Sequence, residues 1–146
     1  MPIKVVLIGS TAGTYGENLL RTVERLDSDN RIKCLGIVDQ EKKIDLYANA
    51  LAVYNGVYQE DYGYVTLEAF FAGKPVITHS DSGGPLEFVR HRENGYVTGP
   101  DSEEIASVLD ELYCDKAKAA RMGEAGRELL ERMHIDWNTA IERLLS

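Results

Sequence analysis

Short apolar runs alternate with amphipathic segments along most of this chain, and that alternation leaves few folds open to it. Candidate strands cover residues 4–8, 32–37, 50–54, 75–78 and 96–98, and candidate helices between them cover 15–26, 40–48, 63–72 and 85–90. Runs that are apolar at consecutive positions suit strands buried on both faces, and strands joined through helices run parallel. The expected fold class is therefore α/β: a three-layer, doubly wound parallel sheet of about five strands. The last third reads as helical. Ile105, Val108, Leu109 and Leu112 follow the i, i+3, i+4, i+7 pattern, continued by Met122, Gly126, Leu129 and Met133, then by Trp137, Ile141 and Leu144. Asp101-Ser102-Glu103-Glu104 is an acidic helix start. With no repeat, linker or low-complexity stretch, the 146 residues are expected to form one domain over 1–146. A chain of that length buries about two-thirds of its unfolded surface.

The formal net charge is −8, which argues against nonspecific binding to nucleic acid or anionic membranes, since both need basic surface. No apolar stretch approaches the ~20 residues of a membrane span, and the start of the chain lacks a signal-peptide pattern. A cytoplasmic protein without a membrane span is expected. Cys34 falls in a strand expected to be buried and Cys114 near a helix end, which reads as reduced, structural cysteine. His79, His91 and His134 are scattered without metal-ligand spacing. Neither a metal nor a resident cofactor is expected.

In open α/β sheets, ligands bind beyond the carboxyl ends of the strands. The loops there are 9–15, 38–40, 55–62 and 79–84. Three of the four are rich in glycine or small polar residues, as close backbone approach to a ligand requires. Within them stands Glu60-Asp61-Tyr62-Gly63-Tyr64-Val65-Thr66-Leu67-Glu68. On a helical rise of ~1.5 Å per residue, the two carboxylates would lie about 12 Å apart. An anion between them would meet the free amides of a helix N-terminus. The pattern suits a molecule with hydroxyls at both ends and phosphates between, such as a sugar nucleotide. Other residues keep two readings each. Gly83-Gly84-Pro85 is a turn or a pocket wall, Lys42 and Lys43 are a solvated helix start or site residues, and Tyr58, Tyr62 and Tyr64 stack on ligand or pack in the core and at the rim. His79 lies on the same predicted edge, whereas Asp61 and Asp81 read as loop acids.

Several segments together carry a family resemblance. They are Leu7-Ile8-Gly9, Leu35-Gly36-Ile37-Val38, Leu46-Tyr47-Ala48-Asn49-Ala50, and the glutamate pair running on through Glu68-Ala69-Phe70-Phe71-Ala72-Gly73-Lys74-Pro75-Val76. Ser82-Gly83-Gly84-Pro85-Leu86-Glu87, Asn94-Gly95-Tyr96-Val97 and Trp137 extend them. On these residues the chain resembles the donor-binding C-terminal domain of group 1 (family 4) retaining glycosyltransferases, the Rossmann-like half of the GT-B architecture. The resemblance implies a mannosyltransferase, glucosyltransferase or other hexosyltransferase with a nucleotide diphosphate sugar as donor. In the catalytic site, Glu60 would accept hydrogen bonds from the donor sugar hydroxyls. Glu68 would take the ribose hydroxyls, and the amides of Gly63, Tyr64 and Val65 the distal phosphate. The base would lie near Ile37 and Val38 with Lys42 or Lys43 close by, and Gly9, Ser10, Gly83 and Gly84 would edge the pocket.

Departures from the family pattern carry implications of their own. Family domains begin one strand earlier, with an arginine and a lysine that neutralise the diphosphate, and Lys4, Arg21 and Arg25 have the wrong context for that pair. The resemblance thus implies half of a transferase site or less, completed by an N-terminal acceptor-binding domain or partner subunit, with little transfer by the chain alone. An oligomer is compatible with this reading. Without that first strand, the five strands are expected in the flavodoxin-like order 2-1-3-4-5, since a central gap would leave backbone groups unpaired. Two other functions fit some features. Gly9-Ser10-Thr11-Ala12-Gly13-Thr14 is similar to the phosphate loop of flavodoxins, which bind FMN, and a non-enzymatic nucleotide-binding or assembly module would use the same glutamates.

Overall fold

The computed structural model describes residues 3–27, 29–136 and 138. Trp137, Ile141 and Leu144 lie outside the described residues. The chain divides into two compact units, one ending at Asp45 and the other beginning at Leu46.

The first unit holds β1 (Val5–Leu7), α1 (Gly13–Leu26), β2 (Ile32–Cys34) and the start of α2 (Gln40–Asn49). β1 and β2 pair in parallel, Val5 opposite Ile32 and Leu7 opposite Cys34. A bond from Gly9 N to Gly36 O of 2.9 Å carries the pairing past the strand ends. Asp27 makes the turn into β2, its carboxylate accepting from Arg31 N at 2.7 Å and Ile32 N at 2.9 Å. Exposure alternates along this ladder: Val6, Ile8 and Leu35 are each more than two-fifths exposed, whereas Val5, Leu7 and Cys34 are half-buried. Period-2 exposure belongs to a strand covered on one face. Cys34, expected to be buried, is therefore only partly so.

The second unit contains β3 (Val53–Asn55), α3 (Tyr64–Phe71), β4 (Val76–His79), β5 (Gly95–Thr98), α4 (Ser102–Cys114) and α5 (Lys116–Arg132). Its strands pair in parallel in the order β3-β4-β5, with Val53 opposite Val76 and Val76 opposite Gly95. Successive strand residues face opposite sides, so fully buried Val76 and Ile77 show that β4 is covered on both. Val76 joins Phe70, Phe88, Val89 and Leu130 in one core cluster. Ile77 joins Tyr96, Val108, Leu112 and Met122 in the other. Asp101 caps α4 as expected, its Oδ1 accepting from Glu103 N at 2.9 Å and Glu104 N at 3.0 Å. On α5, added methyl groups at Gly123 and Gly126 would collide with the Gly73 carbonyl and the Phe70 ring, so these glycines let α5 settle on α3.

Three sequence expectations need correction. The third strand begins later than residue 50, because Ala50 N bonds to Tyr47 O in the turn that ends α2. The helix expected over 85–90 is a 3₁₀ turn, Gly84–Glu87, entered through Pro85; a proline at the first helical position suits a turn of either kind. Met133 is 44% exposed instead of continuing the buried stripe. The neighbours 2-1 and 3-4-5 of the expected order are both present.

Candidate functional site

The site begins with the entry into α3. Gly63, at φ 67° and ψ 35°, precedes the helix, and its carbonyl accepts from Thr66 N at 3.0 Å and Leu67 N at 3.2 Å. No side chain caps this end. The amides of Gly63, Tyr64 and Val65 have no acceptor among the described residues. Uncapped first-turn amides at the positive end of a helix dipole form an anion site.

Glu60, three residues before Gly63, is held by a backbone zipper. Gln59 N donates to Asp81 O at 3.0 Å, Glu60 N to Ser82 O at 2.8 Å, and Gly84 N to Glu60 O at 2.5 Å. Glu60 and Gly83 thereby form an isolated parallel bridge. A Cβ on Gly83 would stand 2.7 Å from Glu60 O, one on Gly84 2.8 Å from Asp61 O, and one on Gly63 3.0 Å from Pro85 N. All three glycines are thus packed backbone against backbone, with little or no room for a side chain. Gly63 and Gly84 are buried; Gly83 is exposed at the edge. Gln59 sits at φ 47°, a left-handed conformation uncommon for a residue with a side chain. Such strain persists where surrounding structure holds it, and here it turns the chain immediately before Glu60.

Each glutamate also has a side-chain partner. Asn55, buried at the end of β3, donates from Nδ2 to Glu60 Oε2 at 3.4 Å, while its carbonyl accepts from Thr78 Oγ1 at 2.8 Å. The Tyr47 hydroxyl, in the last turn of α2, donates to Glu68 Oε2 at 2.9 Å. Burial pushes the Tyr47 phenol well above its usual range, and the charge and hydrogen bond of Glu68 push the same way. Because α3 starts only at Tyr64, helical rise accounts for about 6 Å of the separation between the glutamates. The 12 Å expectation treated the whole interval as helix, and its first part is loop.

The aromatic and histidine candidates separate. Tyr54 OH and His79 Nε2 lie 2.8 Å apart, with the Tyr54 ring folded over Gly56. Tyr62 and Tyr64 stack with ring centroids 5.6 Å apart, and both are exposed. Of the sites expected in the first unit, Gly9 and Ser10 follow β1 beside Gly36, with Ser10 Oγ accepting from Ala12 N at 3.3 Å. Ile37 is 82% exposed and Val38 half-buried. Lys42 pairs with Asp45 on its own helix at 3.3 Å. Sequence reasoning gave no role to Tyr47, though it lies in a segment that carries the resemblance, or to Asn55, which opens the 55–62 loop; their partners are set by packing. Among the described residues, no group of three or more His, Cys, Asp and Glu side chains could hold a metal ion. No helix there is long and apolar enough to cross a membrane.

Comparison with known proteins bears on this arrangement. Residues 1–129 match the family of group 1 glycosyl transferases. The chain is 30% identical over 127 residues to the alpha-1,3/1,6-mannosyltransferase ALG2 of Dictyostelium discoideum, covering 80% of this chain and 30% of that protein. Its fold is similar to Anabaena HepE in complex with UDP-glucose, with a TM-score of 0.77 and 28% identity over 88% of this chain and 36% of that one. Similarity to the sucrose-phosphate synthase of Thermosynechococcus elongatus gives a TM-score of 0.84 at 25% identity, over 95% of this chain and 36% of that one. The chain thus spans about a third of the length of the relatives it matches. The flavodoxin-like reading gains no support from these relatives. With the match running through most of its length, the chain belongs to the group 1 glycosyl transferases and carries the Rossmann-like α/β fold of their GT-B architecture.

Proposed function

We propose that this chain binds the donor of a retaining hexosyltransferase, a nucleoside diphosphate sugar. The observation that carries the proposal is the uncapped N-terminus of α3 set between two anchored glutamates. The amides of Gly63, Tyr64 and Val65 take the distal phosphate and stabilise the charge that grows on the leaving diphosphate. Glu60 accepts from hydroxyls of the sugar, and Glu68 from those of the ribose. One carboxylate has acceptor sites for two neighbouring hydroxyls, which suits both ends of such a donor. The full reaction moves the hexose to an acceptor presented by a further domain or partner subunit, without a divalent metal. HepE, solved with UDP-glucose, supports a nucleotide sugar as ligand, and the mannosyltransferase ALG2 supports a hexose as the transferred group.

Calorimetric titration with UDP, GDP and ADP tests the reading. One of the three binds, and Glu68→Ala weakens it by about tenfold, the loss of a charged hydrogen-bond acceptor. Unchanged affinity in that variant refutes the ribose assignment. Glu60→Ala leaves the diphosphate affinity intact and removes the added affinity of the matching diphosphate sugar.

A further inference from the structure

We infer that Tyr47 is a positioning residue for ribose recognition: its hydroxyl fixes the Glu68 carboxylate in the orientation that meets the nucleotide. The inference rests on the donor-site reading above and adds a residue to it.

The two side chains come from different helices, 21 positions apart, and meet at 2.9 Å between the Tyr47 hydroxyl and Glu68 Oε2. Tyr47 is a rigid partner, because its ring packs against the cluster containing Phe70 and Val76. The acceptor is a carboxylate oxygen, a class of acceptor that makes stronger hydrogen bonds than neutral oxygens do. Burial and the neighbouring carboxylate keep the phenol protonated well beyond neutral pH, so the donor persists through the physiological range.

Glutamate has three rotatable side-chain torsions, and ordering them during ligand binding costs affinity. A phenol anchored in the core sets that order in advance. It takes one of about four lone-pair positions on the carboxylate and defines the plane in which the others point. A donor at Oε2 thus selects the rotamer without neutralising the acceptor. Discrimination should follow, because a carboxylate held toward a diol loses its partners when the diol is absent.

The test uses the 146-residue chain, UDP and GDP, and the 2′,3′-dideoxy counterpart of whichever binds more tightly. Tyr47→Phe keeps the ring and its packing and deletes only the hydroxyl. The expected result is about a tenfold loss of affinity for the ribonucleotide, about 1.4 kcal/mol, with affinity for the dideoxy nucleotide unchanged. In a Glu68→Ala background, Tyr47→Phe causes no further loss. Equal losses for both nucleotides indicate packing alone and overturn the inference, as does an unchanged preference for ribose. If the wild-type chain does not prefer ribose, the role of Glu68 itself fails. If it does prefer ribose and Tyr47→Phe leaves the ratio alone, only the role of Tyr47 fails.

Discussion

Gly83→Ala tests whether the zipper between the Glu60 loop and residues 81–84 is what places Glu60. Gly83 sits at φ 80° and ψ −119°, where an alanine is strained, and its new methyl would stand 2.7 Å from Glu60 O and 3.0 Å from Glu60 N. The backbone strain costs about 1–3 kcal/mol. The collision is with backbone atoms that no rotamer change can clear, and overpacking of this kind adds about 1–3 kcal/mol. Gly73 provides the control, since its φ is 67° and an added methyl would meet nothing within 4 Å. Gly73→Ala should therefore cost only the left-handed penalty, about 1 kcal/mol. For a chain of this size, each kcal/mol lowers the melting temperature by about 2–4 °C. The expected losses are about 10 °C for Gly83→Ala and about 3 °C for Gly73→Ala, read by circular dichroism. Calorimetry should then show that only Gly83→Ala loses the preference for diphosphate sugar over diphosphate. Equal melting losses in the two variants would refute the argument that packing, not glycine's freedom alone, fixes the loop.

Two further outcomes test the packing and charge assignments. Gly126→Ala sets helix propensity, a gain of about 1 kcal/mol, against a methyl placed 2.3 Å from the fully buried Phe70 ring. The collision should win, lowering the thermal midpoint, and a stabilised variant would show that α5 moves freely off α3. Lys118 donates to Glu111 and holds its carboxyl below the ordinary value of 4.5. A depressed folded value stabilises above the unfolded pKa and is lost as pH falls through the folded one. Glu111→Gln should therefore melt lower than the parent at neutral pH, with the gap closing below pH 4.5; a gap independent of pH would count against the ion pair.

The residue pattern made much of this molecule legible. Apolar runs interleaved with amphipathic ones can be satisfied only by parallel strands under helices, and Val76 and Ile77, both fully buried on successive positions, show the double cover that β4 implied. The stripe Val108, Leu112, Met122 and Leu129 is likewise buried where its spacing put it. The glutamate pair with Gly63 was visible because loop, helix start and carboxylates lie within nine consecutive residues. The order of the strands was less accessible, since β-pairing is a contest among distant segments that short-range patterns do not decide.

Tertiary structure decided what the local pattern could not. Gly83 and Gly84 read in sequence as a turn or a pocket wall, and the fold adds that their missing side chains make room for the backbone of Gln59 to Asp61. In sequence Tyr47 reads as a helix residue and Asn55 as the first residue of a loop, and folding brings them to Glu68 and Glu60. A sequence specifies which groups are near one another along the chain, and a helix or strand repeats that information at fixed intervals. Which oxygen a phenol reaches 21 residues away depends on how whole elements pack, and packing is set by the volumes of all the side chains in the core together. The sequence therefore determined that two carboxylates flank a helix start, and the fold alone determined what holds each of them still.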